Sequence, residues 1–152
     1  MSKVAKKIVF VCTGNTCRSP MAEVLAKKML ASENLEIAVV SAGVAAGVNQ
    51  SASRNAILAM EAEGLALEMH RTQLTTPELL KSATLILTMT QGHLSHVLSR
   101  CPTANAFTLA EYAGNGQDVS DPFGGNEEIY KACAAQIKSL LINCMDKLRE
   151  DF

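Results

Sequence analysis

The chain of 152 residues has no strong excess of either charge and no long apolar segment. Its formal net charge is −1 at pH 7 and its pI is about 6.3, so it lacks the basic surface typical of nucleic-acid-binding proteins. No apolar run reaches the roughly 20 residues that a transmembrane helix needs. We therefore expect neither nucleic acid nor a membrane among its partners.

Sequence marks of secretion, disulfide bonding and zinc binding are also missing. The segment 1–7 is basic, but it has neither the apolar stretch nor the cleavage site of a signal peptide. The chain has five cysteines, and this odd number argues against a disulfide framework and favours the reducing cytoplasm. No two cysteines have the Cys-x-x-Cys spacing, so we expect no zinc and no other metal.

The most informative stretch is residues 8–23, where an apolar run ends at Cys12 and a short polar loop leads into a helical pattern. Ser19 is suited to the N-cap of that helix and Pro20 to its first position. The Ser19 hydroxyl can also point at the Cys12 sulfur and hold the thiolate. The loop amides then point above a helix N-terminus, an arrangement that attracts anions and favours a thiolate over a thiol. Arg18, at the far end of the loop, carries a guanidinium that matches the geometry of phosphate.

This stretch predicts a phosphate-binding loop with Cys12 as a nucleophile at its base and Arg18 over the phosphate. The loop between them is made of Thr13, Gly14, Asn15, Thr16 and Cys17. It contains neither of the common glycine-rich nucleotide-binding patterns. The leaving group would need a proton donor, and the long loop 110–125 offers Asp118 and Asp121. Asp121 is favoured because the proline after it holds its backbone extended.

Strand-like and helical segments alternate along the chain, which predicts an α/β fold. Predicted strands cover 7–11, 35–40, 84–89 and about 106–109. Predicted helices cover about 19–33, 53–64, a short segment from 75, 90–100 and 126–149. We expect one domain over residues 1–152, with a doubly wound sheet of about four parallel strands and helices on both faces. Ligands of such sheets bind at the carboxyl ends of the strands, where the Cys12 loop lies.

The remaining cysteines and histidines are given simpler roles, except for one cysteine. Cys17 lies in the same loop as Cys12, so it is predicted to trap an oxidised Cys12 as a disulfide. His93 and His96 are predicted to lie on a solvated helix face rather than in a metal site. The last helix has an apolar stripe predicted to face the core. Its members are Ile129, Cys133, Ile137, Leu140, Cys144 and Leu148.

The sequence Cys12-Thr-Gly-Asn-Thr-Cys-Arg18-Ser19 resembles the active-site loop of the low-molecular-weight protein tyrosine phosphatase family. Within that family, it most resembles the loop of the bacterial protein arginine phosphatases. The resemblance extends to Ser41-Ala42-Gly43 and to Asp121-Pro122. It implies a flavodoxin-like phosphatase fold, a phosphocysteine intermediate on Cys12 and Asp121 as the general acid. It also implies a network that supports the loop. The residues of that network are Asn15, Ser19, Ser41 and His70.

The resemblance also bears on the substrate. Tyrosine-specific members line the pocket with aromatic residues and usually carry a larger aliphatic residue at the position of Thr16, whereas this chain has only Phe123 after Asp-Pro. Thr16 and the Phe-Gly-Gly sequence resemble the arginine phosphatases. We therefore expect phosphoarginine in proteins or peptides as the substrate, inorganic phosphate as the product and no cofactor, with phosphotyrosine as the alternative. An arsenate reductase is less well supported, because residues 76–100 contain no cysteine for a downstream pair.

Overall fold

The computed structural model describes residues 5–114 and 116–152 of the chain. The prediction about a signal peptide therefore falls partly on residues 1–4, which lie outside the described residues. The described strands are β1 (Lys7–Cys12), β2 (Ala38–Gly43), β3 (Leu85–Thr88) and β4 (Ala106–Thr108). The described helices are α1 (Arg18–Ser32), α2 (Arg54–Ala62), α3 (Pro77–Ser82), α4 (Gln91–Arg100), α5 (Leu109–Tyr112) and α6 (Glu127–Asp151).

The strands form one parallel sheet in the order β2-β1-β3-β4, which confirms the predicted fold class. Side chains of β1 alternate between two apolar cores. Ile8 and Phe10 contribute to the core that contains residues of α1, α2 and α6, whereas Val9 and Val11 contribute to the core on the side of α3 and α4. The alternation places helices on both faces of the sheet, and β1 is buried on both.

The strand order places a switch point between β1 and β3. The chain leaves β1 into α1 on one face of the sheet, and it leaves β3 into α4 on the other face. The loops that follow the two strands therefore diverge and open a crevice at the carboxyl edge, which is where ligands of such sheets bind. Within the described residues, no helix is both long and apolar enough to cross a membrane.

The predicted bounds of the second strand, 35–40, are wrong, because β2 spans Ala38–Gly43. Asn34 has a φ of 56°, and the Leu35 amide donates to the carbonyl of Leu30, so the chain is still closing the end of α1 there. Pairing with β1 begins only where Ala38 lies opposite Lys7. The three-residue shift brings Ser41 and Gly43 into the strand, next to the Cys12 loop.

Two further predictions fail locally. The segment 110–125 is not a loop throughout, because α5 occupies its start and is capped by the Thr108 side chain, which accepts from the Glu111 amide. Ile129 is not a core residue: it is 50% exposed in the first turn of α6, beside Gly125. The other five members of the apolar stripe are buried as predicted.

Candidate active site

The loop after β1 holds the Cys12 side chain at the base of a hollow, and Cys12 itself is only 2% exposed. The predicted cap at Ser19 is wrong, since α1 already begins at Arg18 and Cys17 occupies the N-cap position without a side-chain cap. The Ser19 hydroxyl is used elsewhere: its Oγ lies 2.9 Å from Cys12 Sγ. Ser19 therefore contacts the predicted nucleophile instead of the helix backbone.

The direction of this hydrogen bond depends on whether Cys12 is a thiol or a thiolate. The Asn15 side-chain amide donates to Ser19 Oγ and to Ser41 Oγ, each at 2.9 Å. Ser19 Oγ accepts this hydrogen bond, so its own hydrogen can go to Cys12 Sγ at 2.9 Å or to the Ala42 carbonyl at 3.4 Å. When Cys12 is a thiolate it has no hydrogen to donate, and the Ser19 hydroxyl is then its donor. A hydroxyl that donates to the sulfur stabilises negative charge on it, as a nucleophilic cysteine requires.

Asn15 joins all members of the predicted supporting network. It is fully buried with a φ of 58°, a left-handed conformation that asparagine tolerates. Its carbonyl accepts from His70 Nε2 at 2.8 Å, and its Oδ1 accepts from the Gln73 amide at 3.0 Å. The structure thus brings Asn15, Ser19, Ser41 and His70 together, and it adds Gln73, which the sequence did not single out.

Gly43 supports the same loop from the end of β2, where it lies opposite Cys12. A Cβ atom at this position would lie 2.5 Å from the Thr13 carbonyl oxygen and 2.8 Å from the Asn15 amide nitrogen. Both contacts are closer than real Cβ atoms show and both involve backbone. Glycine is therefore required for the loop to pack against β2.

Arg18 connects the Cys12 loop with the loop that carries the predicted acid. Its side chain is buried, and its Nη1 donates to the Val119 carbonyl at 2.9 Å. Its Nη2 lies 3.7 Å from Asp121 Oδ2. Asp118, the other carboxyl candidate, instead accepts from the Gln91 amide at the start of α4. Of the two candidates, Asp121 is therefore the one that lies at the hollow.

These groups surround a cavity of about 280 Å³. It is lined by Cys12, Thr13, Gly14, Thr16, Cys17, Arg18, Asp121 and Phe123. Asp121 and Phe123 stand at its exposed side, with the Asp121 carboxylate accepting from the Phe123 amide at 3.0 Å. Among the described residues, no group of three or more His, Cys, Asp or Glu side chains could hold a metal ion.

A sequence model of the low molecular weight phosphotyrosine protein phosphatase family matches residues 7–152. The chain belongs to this family. It is 43% identical over 147 residues to the protein-arginine-phosphatase of Bacillus subtilis, with 95% of this chain and 97% of that protein covered. It is 37% identical to the low molecular weight protein-tyrosine-phosphatase PtpB of Staphylococcus aureus, with 92% and 97% covered.

Solved structures of the family show the same fold. The YwlE arginine phosphatase with a phosphorylated active-site serine in place of cysteine matches with a TM-score of 0.91 and 42% identity, over 95% of this chain and 97% of that one. A low molecular weight protein tyrosine phosphatase from T. tengcongensis matches with a TM-score of 0.90 and 35% identity, over 94% and 99%. The predicted family and fold are confirmed.

This family member has a buried histidine at the site that the sequence did not reveal. His93 is 6% exposed, so the prediction of a solvated helix face is wrong for it. Its Nε2 lies 2.8 Å from Thr13 Oγ1, and its Nδ1 is buried without a partner among the described residues. Burial and the positive charge of Arg18 lower the pKa of His93 to about 4. No local pattern separates His93 from His96, since the contact joins residues far apart in sequence.

Cys17, the last residue of the loop after β1, is buried and contacts two hydroxyl groups. Its Sγ lies 3.2 Å from Tyr130 Oη and 3.4 Å from Ser53 Oγ, and all five cysteines of the chain are free thiols. Burial, together with the hydrogen bond to Cys17, raises the pKa of Tyr130 to about 12. Burial likewise raises the pKa of Cys133 and of Cys144 to about 12, so these two remain thiols.

Proposed function

We propose that this chain is a protein phosphatase that hydrolyses phosphorylated side chains through a phosphocysteine on Cys12, with phosphoarginine as its preferred substrate. One observation supports this most strongly. Cys12 Sγ lies 2.9 Å from the Ser19 hydroxyl oxygen at the base of a cavity whose other side carries Arg18 and Asp121. A stabilised sulfur nucleophile, a phosphate-binding guanidinium and a carboxyl thus line one cavity.

In the first step, the Cys12 thiolate attacks phosphorus and forms the S–P bond as the bond to the leaving group breaks. Arg18 and the loop amides stabilise the negative charge on the phosphoryl oxygens. Asp121, in its protonated form, gives its proton to the departing oxygen or nitrogen. The Ser19 hydroxyl holds the sulfur in place and stabilises it again when it departs in the second step.

In the second step, water attacks the phosphorus of the phosphocysteine. Asp121, now a carboxylate, takes a proton from this water, the S–P bond breaks, and the Cys12 thiolate and inorganic phosphate are released. Asn15, Ser41 and His70 act through the geometry of the loop. The same carboxyl thus serves as acid and then as base, and the enzyme returns to its starting state.

The cavity favours phosphoarginine over phosphotyrosine for two reasons. Thr16 places a small polar side chain at the wall, and Phe123 is the only aromatic among the described lining residues. A phenol ring gains little from such walls, whereas a guanidinium finds a charge-assisted partner in the Asp121 carboxylate. The similarity to protein-arginine-phosphatases of Bacillus subtilis and Geobacillus stearothermophilus supports the same assignment.

The test is the turnover of two peptides that share one sequence and carry either phosphoarginine or phosphotyrosine. We expect a higher kcat/KM for the phosphoarginine peptide. The opposite preference would overturn the substrate assignment. It would favour phosphotyrosine as the substrate, which the similarity to PtpB also supports. We further propose that the protein acts on phosphorylated proteins in the cytoplasm and that Cys17 protects Cys12 from oxidation.

A further inference from the structure

The contact between Thr13 and His93 has no role in the mechanism above. Thr13 lines the cavity next to Cys12, and its side chain is exposed. Its hydroxyl is held by a histidine on α4, at the opposite side of the switch point. Among the described residues, His93 is the only hydrogen-bond partner of this hydroxyl. Packing of α4 against the sheet does not by itself require that a buried histidine bind a hydroxyl that lines the cavity.

We propose that Thr13 is a specificity-determining residue that accepts a hydrogen bond from the guanidinium of phosphoarginine, and that His93 is the positioning residue that orients its hydroxyl. This inference rests on the proposed function, since it concerns the leaving group of that substrate. It goes beyond the loop backbone, because it assigns a role to the Thr13 side chain and to a helix outside the loop.

The chemistry of the pair supports an acceptor under either histidine tautomer. If His93 Nε2 accepts a hydrogen bond from the Thr13 hydroxyl, both lone pairs of Oγ1 stay available. If Nε2 donates instead, Oγ1 still keeps one lone pair. A guanidinium carries only hydrogen-bond donors, and these must find acceptors when the group is buried. The ring of a phenol carries no such donors. An extra acceptor at the wall therefore favours phosphoarginine selectively.

The charges around His93 fit the same role. Burial has the largest effect and lowers the pKa of His93. Arg18 and His96 also lower it, whereas Asp118 and Asp121 raise it, so that the pKa lies at about 4. The imidazole is therefore neutral at neutral pH. A cationic imidazole behind Thr13 would repel the guanidinium of the substrate, and a neutral one does not.

The test compares kcat/KM for the phosphoarginine and phosphotyrosine peptides in matched variants. Thr13→Val keeps the shape of the side chain and removes the hydroxyl, and Thr13→Ser restores the hydroxyl. Loss of a hydrogen bond to a charged group should lower kcat/KM for phosphoarginine roughly 10-fold or more, with less than about a 3-fold change for phosphotyrosine. Thr13→Ser should recover most of the loss. Thr103→Val, the same change on the exposed surface, should leave both values unchanged.

His93 is tested through its coupling to Thr13. His93→Leu should lower the phosphoarginine preference, and the double variant with Thr13→Val should be no worse than Thr13→Val alone, because one acts through the other. His93→Gln, which keeps a polar nitrogen, should retain more of the preference and serves if His93→Leu fails to fold. His96→Gln on the same helix is the control and should change neither substrate.

The outcomes separate this inference from the proposed function. If the wild type does not prefer phosphoarginine, the substrate assignment fails and the inference fails with it. If the wild type prefers phosphoarginine but Thr13→Val slows both substrates equally, only the inference is overturned. Additive losses for Thr13→Val and His93→Gln would show that His93 supports the fold and does not act through Thr13.

Discussion

The two loops that form the cavity differ in how firmly the protein holds them. At the loop after β1 and the two residues that flank it, Cys12, Asn15 and Arg18 are 2%, 0% and 4% exposed, and each has a hydrogen-bond partner. In the loop of the acid, the Asp121 side chain is 54% exposed and Phe123 is 81% exposed. The proposed nucleophile is therefore held within the core, whereas the proposed acid stands at the surface.

The difference matches what each loop must do in the proposed reaction. Donors that stabilise developing charge are effective when they are fixed before the reaction, because no energy is then spent on orienting them. The acid side must admit a protein substrate and release phosphate, so it has to remain open to solvent. Arg18 belongs to both regions, since its guanidinium binds the Val119 carbonyl and approaches Asp121.

The largest loss is expected on the buried side, from Cys12→Ser. A serine hydroxyl is a much weaker nucleophile than a thiolate, so turnover should fall by roughly four orders of magnitude or more. Phosphate binding should persist, because Arg18 and the loop amides are unchanged; calorimetry with inorganic phosphate measures this. Cys101→Ser, in the core on the opposite face of the sheet, is the control. Near-normal turnover of Cys12→Ser would end the mechanism.

On the exposed side, Asp121→Asn should act through the leaving group. Loss of a general acid costs roughly 10²–10⁴-fold, and the full cost should fall on aryl phosphates with poor leaving groups. Aryl phosphates with good leaving groups should be slowed much less. For phosphoarginine, whose P–N bond is labile, kcat should also fall much less, but KM should rise because its guanidinium loses a charged partner. Asp118→Asn is the matched control, because that carboxylate caps α4 instead. Equal slowing of all substrates would give Asp121 a binding role only.

Gly43→Ala tests whether the buried loop depends on its close contact with β2. The new Cβ would clash with the Thr13 carbonyl and the Asn15 amide, so the loop must move. Displacement of the loop near the reacting atoms should lower turnover roughly 10²-fold. Gly116→Ala, where a Cβ meets open space, should have no such effect. Unchanged turnover in Gly43→Ala would mean that the loop tolerates displacement.

The sequence predicted the fold, and it singled out Cys12, Arg18 and Asp121, which line one cavity, because these signals are local. An apolar run followed by Cys12, and an arginine before a helix, reveal strand, loop and helix within one short stretch. The alternation of segments likewise sets a parallel sheet. The start of β2 was misjudged because the left-handed turn at Asn34, which closes α1, depends on three-dimensional packing. Apolar residues next to such a turn look like a strand in the sequence.

His93 and Gln73, whose roles sequence reasoning missed, act across long distances in the chain. Thr13 and His93 are 80 positions apart, and Asn15 and Gln73 are 58 apart. No periodicity or motif encodes which histidine of a helix will meet a loop. For Ser19 the sequence left two roles open, an N-cap or a hydroxyl that points at the Cys12 sulfur, and the structure shows the contact with the sulfur. Such competition is decided by packing.

Thr16→Ile tests how the side chain of Thr16 in the cavity wall affects substrate specificity. Isoleucine adds apolar bulk and removes a hydroxyl, so a phenol ring should gain contact and a guanidinium should lose a polar neighbour. Changes of this size in a pocket shift discrimination roughly 10–200-fold. The variant should therefore lower kcat/KM for phosphoarginine and raise it for phosphotyrosine, with little change in melting temperature. An unchanged ratio would contradict the role of Thr16.

The smallest effect is expected for Cys17, and it concerns recovery rather than turnover. Peroxide should oxidise the Cys12 thiolate to a sulfenic acid, and attack by the Cys17 thiol should then form a disulfide and release water. Mass spectrometry should find the peptides of Cys12 and Cys17 linked. Dithiothreitol reduces this disulfide, whereas further oxidation of Cys12 would be irreversible, so the disulfide preserves activity.

Cys17→Ser should therefore recover several-fold less activity than the wild type after strong peroxide followed by dithiothreitol. Before oxidation, its turnover should stay close to that of the wild type. Cys144→Ala should recover like the wild type, because burial keeps Cys144 a thiol that takes no part. The hydrogen bonds of Cys17 with Tyr130 and Ser53 must break before its sulfur reaches Cys12. Equal recovery of Cys17→Ser and the wild type would show that these bonds hold Cys17 in place and that it protects nothing.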